Sequence, residues 1–153
     1  MASFVSSPKK LVENIGGALR SGGLAIFHEY SDYETFCFMP MRPTLQRFIQ
    51  EVMESWRASG GEPNVAKDLP RLLRDAGFRI LEIRPQVRCV SPRDYTWQWP
   101  ASFIHINLAR LQELGRVTPE WAVELLREFK EAEAQEGSWF TTPMFLEIIA
   151  QKE

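Results

Sequence analysis

Two stretches decide the fold of this chain: Ala18-Leu19-Arg20-Ser21-Gly22-Gly23-Leu24-Ala25-Ile26-Phe27 and Leu72-Leu73-Arg74-Asp75-Ala76-Gly77-Phe78-Arg79-Ile80-Leu81-Glu82-Ile83. In each stretch an amphipathic helix runs into glycine, and a short apolar strand follows. Glycine ends helices well because it adopts the left-handed conformation without steric cost. The unbroken apolar run of the first strand predicts burial on both faces, which is typical of a sheet covered by helices. The chain is therefore predicted to be α/β.

Further helices and strands are marked by local signals. Ser7-Pro8 and Thr118-Pro119 each combine a capping side chain with proline at the first helical position, where its missing N–H costs nothing. The segment 78–90 is strand-like, with Pro85 interrupting it, and residues 144–150 predict a last strand. His28 begins an aromatic-rich loop in this interpretation.

Composition excludes several classes of protein. The 153 residues are 44% hydrophobic with a formal charge of −2, which fits one globular domain and lacks the basic excess that nucleic-acid binding requires. Neither a secretory signal nor an apolar run of membrane-spanning length is found. Cys37 and Cys89 lie far apart in apolar contexts and predict buried, reduced thiols rather than a metal site. We therefore expect a cytoplasmic protein without membrane or nucleic-acid partners.

The order of these elements resembles the C-terminal half of a class I S-adenosylmethionine-dependent methyltransferase. In that family a Leu-x-x-Gly-Gly helix end precedes the fifth strand, here at 19–23, and a Leu-Leu-x-x-Ala-Gly-Phe ending precedes the sixth, here at 72–78. The family's seventh strand returns antiparallel between those two, and residues 145–150 are placed to do so. The resemblance implies a partial Rossmann-like methyltransferase fold: a small mixed sheet of about three strands, with an antiparallel C-terminal strand and a helical cap. The domain is then 1–153, with insertions 29–62 and 91–138 forming the cap.

The family's cofactor motif has no counterpart in this chain. Such enzymes hold S-adenosylmethionine with a glycine-rich turn after the first strand and an acidic residue that ends the second. Gly16-Gly17 falls inside a predicted helix, and Gly60-Gly61 follows a helix rather than a strand. The resemblance therefore implies S-adenosylmethionine in the complete family fold, but no cofactor and no methyl transfer for this truncated chain alone.

Three candidate site residues follow the first predicted strand. Ligands of open α/β sheets bind beyond the carboxyl ends of parallel strands, and His28, Glu29 and Tyr30 come directly after that strand. His28 could act as a general base or orient a substrate hydroxyl, and Glu29 could hydrogen-bond a polar substrate group. The alternative interpretation is that they only satisfy loop backbone.

A second candidate group is Trp97, Trp99 and His105. Residues two apart point to the same side of an extended chain, so the two tryptophans could form the wall of an apolar pocket. The alternative is that they belong to the core. Catalytic residues cannot be assigned, and neither cofactor nor metal ligands are predicted.

The function that follows is the substrate-side part of an S-adenosylmethionine-dependent methyl transfer to a small molecule. The alternative is a non-catalytic protein, derived from that fold, that dimerises or binds an apolar ligand. Because the strand at 24–27 has no partner encoded upstream, its edge invites pairing. We therefore expect a homodimer through this edge, or an exchange of elements between two chains.

Overall fold

The computed structural model describes residues 2–153, in two compact units. The first unit comprises the residues up to Tyr33 together with Trp56–Val87 and Pro143–Glu153, and the second comprises Glu34–Ser55 and Arg88–Thr142. The arrangement of 1–153 as one domain with a helical cap at 29–62 and 91–138 stays a prediction.

Residues 2–153 form five α-helices and six strands. In order they are α1 (Pro8–Ala18), β1 (Leu24–Asp32), β2 (Cys37–Met39), α2 (Pro43–Ala58), α3 (Leu69–Asp75), β3 (Phe78–Gln86), β4 (Cys89–Val90), α4 (Gln98–Glu113), α5 (Pro119–Ala134), β5 (Trp139–Thr141) and β6 (Met144–Lys152). Short 3₁₀ turns lie at Ala2–Phe4, Tyr33–Thr35, Val65–Lys67 and Tyr95–Trp97. None of the helices within residues 2–153 is both long enough and apolar enough to cross a lipid bilayer.

The first unit contains a three-stranded sheet with the order β1-β6-β3. The strand β6 runs antiparallel to both neighbours, and Ile148 lies opposite Phe27 on one side and Ile83 on the other. The strands β1 and β3 therefore run parallel to each other. The predicted α/β class and the antiparallel C-terminal strand between two parallel ones are confirmed.

One face of this sheet carries the core of the first unit. Val12 of α1 and Leu73 of α3 belong to the same buried cluster as Ala25, Phe27 and Ile148. Along β1 these inward positions alternate with exposed ones, since Leu24 is 52% and Ile26 65% exposed. The prediction that this strand is buried on both faces is wrong. On the opposite face of β1, the apolar side chains of Leu24 and Ile26 are therefore exposed.

The predicted starts of α1 and α5 are confirmed by their capping geometry. The hydroxyls of Ser7 and Thr118 accept hydrogen bonds from the backbone N–H three residues on, at 3.3 and 3.2 Å. Gly22 and Gly77 adopt φ of 79° and 78°, in the left-handed region that favours glycine. Gly77 directly follows the C-cap residue Ala76 and ends α3 as predicted. The helix α1 already ends at Ala18 with an extended C-cap at Leu19, so the prediction that Gly22 or Gly23 ends it is wrong. Gly22 instead lies in the turn before β1.

The segment predicted as strand-like over 78–90 is divided between the two units. Its first part is β3, which continues through Pro85, and its last part is β4, which belongs to another sheet. Proline is tolerated in β3 because that strand lies at the edge of its sheet, where the missing N–H breaks no ladder. The prediction that Pro85 interrupts the strand is therefore wrong, since β3 ends only at Gln86.

The second unit contains a small sheet that the sequence patterns do not predict. Its order is β2-β5-β4, with antiparallel neighbours of two or three residues each. Buried aromatic rings pack together in this unit, among them Phe36, Phe38, Trp97, Phe129 and Phe140. Each ring lies within 6.1 Å, centroid to centroid, of at least one of the others.

The two cysteines occupy the outer strands of this second sheet. Cys37 in β2 and Cys89 in β4 both lie opposite Thr141 of β5, and both are free thiols. Cys37 is half-buried and its Sγ lies 3.1 Å from Oγ1 of Thr141. Cys89 is exposed, so the prediction of two buried thiols is wrong, because the two-residue strand β4 forms an edge.

Candidate functional site

His28, Glu29 and Tyr30 lie inside β1, and the prediction that they follow the strand is wrong. The strand continues to Asp32 because β6 pairs with it along nearly its whole length. His28 lies opposite Glu147 and Tyr30 opposite Phe145. Alternation along a strand places His28 and Tyr30 on one face of the sheet and Glu29 on the other. The apolar run that identifies the strand covers only its first half.

The three residues nevertheless meet at one cavity in the first unit. This cavity has a volume of 310 Å³ and is lined by Ser3, Phe4, His28, Glu29, Tyr30 and Phe145. Its size lies at the lower end of the range of small-molecule sites. Ser3, Phe4 and Phe145 were missed at the sequence level. The available signal for Phe145 was its register opposite Tyr30, which requires the pairing of β6 with β1 to be known.

Glu29 is a buried carboxylate with a structural partner. It is 7% exposed, and its Oε1 accepts a hydrogen bond of 2.6 Å from the backbone N–H of Ala2. A charged acceptor makes such a bond stronger than one between neutral groups. Glu29 thereby holds the turn Ala2–Phe4, and with it two lining residues, beside the second half of β1.

The hydroxyl groups at the cavity are kept neutral. Burial raises the pKa of Tyr30, and the negative charge of Glu29 raises it further. The Tyr30 phenol therefore stays protonated at neutral pH and can both donate and accept a hydrogen bond. The hydroxyl of Ser3 is buried and has no hydrogen-bond partner among residues 2–153. A buried hydroxyl left unpaired is unfavourable.

Six aromatic rings, four of which line the cavity, form an open series that we call the aromatic arc. Its members follow one another edge-to-face in the order Phe4, Trp56, Tyr33, Tyr30, Phe145 and His28. Successive ring centroids lie 4.0 to 6.5 Å apart, and successive ring planes meet at 68° to 86°. The first and the last members both line the cavity, so the arc begins and ends there.

The two candidate tryptophans are not on an extended segment. Trp97 ends a 3₁₀ turn and Trp99 lies in the first turn of α4, so the argument from strand alternation is wrong for them. Trp97 is 3% exposed and stacks on Phe129 in the core of the second unit. Trp99 is half-buried and stacks on Phe103 with a centroid distance of 5.3 Å. Helix geometry explains this pair, because residues four apart share a helix face.

His105 has different surroundings from these two tryptophans. It is exposed on α4 and lines a surface cavity of 530 Å³ in the second unit. Arg127, Lys130 and Glu133 line the same cavity. No hydrogen bond or ring contact ties His105 to either tryptophan among the described residues. The second group of candidates is therefore not assembled into one site.

The glycines do not form a cofactor turn. A Cβ at Gly61 would lie 2.5 Å from the carbonyl oxygen of Ser3, and one at Gly16 would lie 3.2 Å from the ring of Phe78. These positions are needed for close packing of the protein against itself, and Gly22 lies in the turn between α1 and β1. The described residues thus do not fit the site that holds S-adenosylmethionine in the family. Within residues 2–153 there is also no group of three or more His, Cys, Asp or Glu side chains that could hold a metal ion.

Comparison with known proteins identifies the fold. No protein-family model and no curated protein sequence matches the chain. A solved structure from Bacillus halodurans C-125, described as a "putative methyltransferase", matches with a TM-score of 0.54 and 16% sequence identity. The match covers 99% of this chain and 60% of that protein. The chain therefore has a mixed α/β, partial Rossmann-like fold of methyltransferase type, and it spans 60% of the length of that neighbour.

Proposed function

We propose that this chain is the substrate-side part of a fold for S-adenosylmethionine-dependent methyl transfer to a small molecule. The observation that carries the proposal is the cavity of His28, Glu29 and Tyr30 on a strand of a methyltransferase-type sheet. We further propose that the chain alone neither holds the cofactor nor transfers a methyl group.

The position of the cavity supports the binding of a substrate. In open α/β sheets, ligands bind at the edge formed by the carboxyl ends of parallel strands. The strands β1 and β3 run parallel, and residues 28–30 belong to the second half of β1. A volume of 310 Å³ with mainly aromatic walls suits a small molecule.

The lining residues divide into two roles in this proposal. The imidazole of His28 can accept a proton from a substrate hydroxyl, and the Tyr30 phenol can orient that hydroxyl. Glu29 is a positioning residue, because its carboxylate is already bonded to the N–H of Ala2. It acts on the substrate through the placement of Ser3 and Phe4.

The absence of a cofactor turn supports the second half of the proposal. Gly16 packs against Phe78, Gly22 lies in the turn before β1, and Gly61 approaches the carbonyl of Ser3. Calorimetric titration with S-adenosylmethionine and S-adenosylhomocysteine tests this directly. We expect no saturable heat up to ligand concentrations of about 1 mM. A dissociation constant of about 1 μM for either compound would refute the missing cofactor site.

A second candidate function, a non-catalytic protein that dimerises, is favoured by the edge of β1. The two edges of the first sheet differ: β3 carries Pro85 and Arg84, which are residues that discourage strand pairing, together with a bulge after Ile80. The first half of β1 has no proline and no Lys or Arg, and it exposes Leu24 and Ile26. We propose that a second copy of the chain pairs along residues 24–27.

A further inference from the structure

We infer that the cavity of the first unit takes a neutral, flat aromatic molecule that carries a hydroxyl group, with its ring packed between Phe4 and Phe145. This inference rests on the proposed function, because it names the class of substrate for the same site. It follows from the aromatic arc, the unpaired hydroxyl of Ser3 and the charge at Glu29.

In this inference, a ligand ring in the cavity extends the aromatic arc. Each neighbouring pair in it meets edge-to-face, which is the arrangement that the ring quadrupole favours. Phe4 at one end and Phe145 near the other both line the cavity. Phe4 is 63% exposed although it is a large apolar side chain. A flat ring in the cavity would contact Phe4 and Phe145 and bury part of Phe4. A saturated ring would gain only the free energy of apolar burial, without the ring–ring contacts.

A hydroxyl on that ring would satisfy the polar groups. The Ser3 hydroxyl is buried at a lining residue and has no partner among residues 2–153. The hydroxyl of a ligand can both donate and accept, so it can pair with Ser3 or Tyr30 in either direction. A hydrocarbon ring without this group would leave the Ser3 hydroxyl unpaired, which is costly in a buried site.

The charge at the cavity selects against anions. Glu29 places a buried carboxylate at its wall, and none of the described residues that line it is Lys or Arg. A ligand carboxylate or phosphate would be desolvated next to a like charge, with no cation to pair with. The carboxylate of Glu29 is already bonded to the N–H of Ala2, so it is a weak anchor for a cationic ligand as well. A neutral ligand avoids both costs.

Four two-ring probes of similar size test the inference by calorimetry at pH 7. They are 2-naphthol, its saturated analogue decahydro-2-naphthol, the anion 2-naphthoate and the cation 2-naphthylmethylammonium. We expect 2-naphthol to bind about tenfold more tightly than each of the other three. The loss of two ring–ring contacts should weaken the saturated analogue by about this factor, and the burial of a charge should weaken each ion by about this factor. Equal affinity for the saturated analogue, preference for either ion, or no binding of 2-naphthol would overturn the inference.

Variants of the arc give the second test. Phe4→Leu should weaken the binding of 2-naphthol about tenfold and leave decahydro-2-naphthol within about twofold. Because Phe4 is largely exposed, this variant keeps the fold, which circular dichroism verifies. Phe145→Leu should behave alike, and Tyr95→Leu is the matched control, since Tyr95 is 84% exposed in the second unit. An unchanged affinity of the Phe4→Leu variant for 2-naphthol contradicts the inference.

The inference and the proposed function can fail separately. If the four probes bind alike while S-adenosylmethionine does not bind, the aromatic preference is wrong and the substrate-side function stands. If S-adenosylmethionine binds tightly to the chain, the proposed function is wrong whatever the probes show.

Discussion

The backbone N–H of Ala2 donates a hydrogen bond of 2.6 Å to Oε1 of Glu29, and both residues are buried. This bond joins the turn Ala2–Phe4 to β1 across 27 positions of sequence. The turn supplies two residues of the cavity and β1 supplies three. The geometry of the cavity therefore depends on a carboxylate that already has a protein partner.

Removal of that carboxylate should destabilise the chain. We expect Glu29→Ala to lower the free energy of unfolding by about 1.5–3 kcal/mol, because it leaves a buried N–H without its charged acceptor. Glu29→Gln retains an acceptor oxygen and should cost less. Urea unfolding followed by circular dichroism measures both. Glu136→Gln is the control, since the Glu136 side chain is 95% exposed. A loss below about 0.5 kcal/mol for Glu29→Ala would contradict the importance of this bond.

Gly61 packs against the same turn, Ala2–Phe4. A Cβ at position 61 would lie 2.5 Å from the carbonyl oxygen of Ser3, a backbone atom that cannot move without moving the turn. We expect Gly61→Ala to lower the unfolding free energy by about 1–3 kcal/mol and to weaken ligand binding at the cavity. Gly17→Ala is the matched control.

The control substitution should act in the opposite direction. Gly17 lies inside α1, and a Cβ there meets nothing within 4 Å. Alanine should therefore stabilise the helix by about 0.5–1 kcal/mol. Thermal unfolding of the two variants side by side distinguishes a steric effect at position 61 from the general effect of losing a glycine. Equal stability of both variants would show that the turn tolerates displacement.

Stability should fall at alkaline pH through the buried tyrosines. Burial, and then the charge of Glu29, raises the pKa of Tyr30 in the folded chain, and burial also raises the pKa of Tyr33. Above about pH 10 the unfolded chain loses these protons first. Stability is thus fully present below about pH 10 and declines as the pH rises above it.

The Tyr30→Phe variant should show a shallower alkaline decline than the parent. Urea midpoints measured between about pH 8 and pH 11 give the slope. Tyr95→Phe serves as the control, because Tyr95 is 84% exposed and should leave the slope unchanged. Identical slopes for the parent and Tyr30→Phe would mean that Tyr30 titrates alike in the folded and unfolded chain.

Association through β1 should depend on Ile26. This side chain is 65% exposed on an edge strand. Natural edge strands often carry lysine, which prevents pairing with another strand. We expect light scattering to give the mass of a dimer for the parent at high concentration and that of a monomer for Ile26→Lys. Val123→Lys, on the exposed face of α5, should remain dimeric. A monomeric parent would contradict the pairing.

Local sequence signals predicted those parts of the fold that depend on local chemistry. Ser7 and Thr118 cap the starts of α1 and α5 as expected, and Gly77 ends α3. The position of β6 between β1 and β3 was predicted from the resemblance, because the last strand of that family returns antiparallel between two parallel strands. The caps and Gly77 can each be identified within a few residues of sequence, whereas the position of β6 required the order of all the elements.

Features that depend on long-range pairing were missed or wrong. The second half of β1 is polar and aromatic, so only its pairing with β6 shows that His28 and Tyr30 are in a strand. The strands β2, β4 and β5 have two or three residues each, too few to show an alternating pattern. The helical conformation at Trp97 likewise lacked a local signal, because tryptophan favours strands in isolation.

The same long-range contacts explain why the sequence identified only some of the residues that line the candidate site. His28, Glu29 and Tyr30 are adjacent in sequence and were identified together. Ser3 and Phe145 reach them only through the bond between Ala2 and Glu29 and through the register of β6. A binding site assembled from three distant segments cannot be derived from any one of them.

The central claim is that this chain holds the substrate side of a methyltransferase-type fold without its cofactor site. Saturation-transfer difference NMR on one sample that contains the chain, 2-naphthol and S-adenosylmethionine tests it most directly. We predict that saturation reaches the protons of 2-naphthol and not those of S-adenosylmethionine. Saturation of S-adenosylmethionine, with none on 2-naphthol, would contradict the claim.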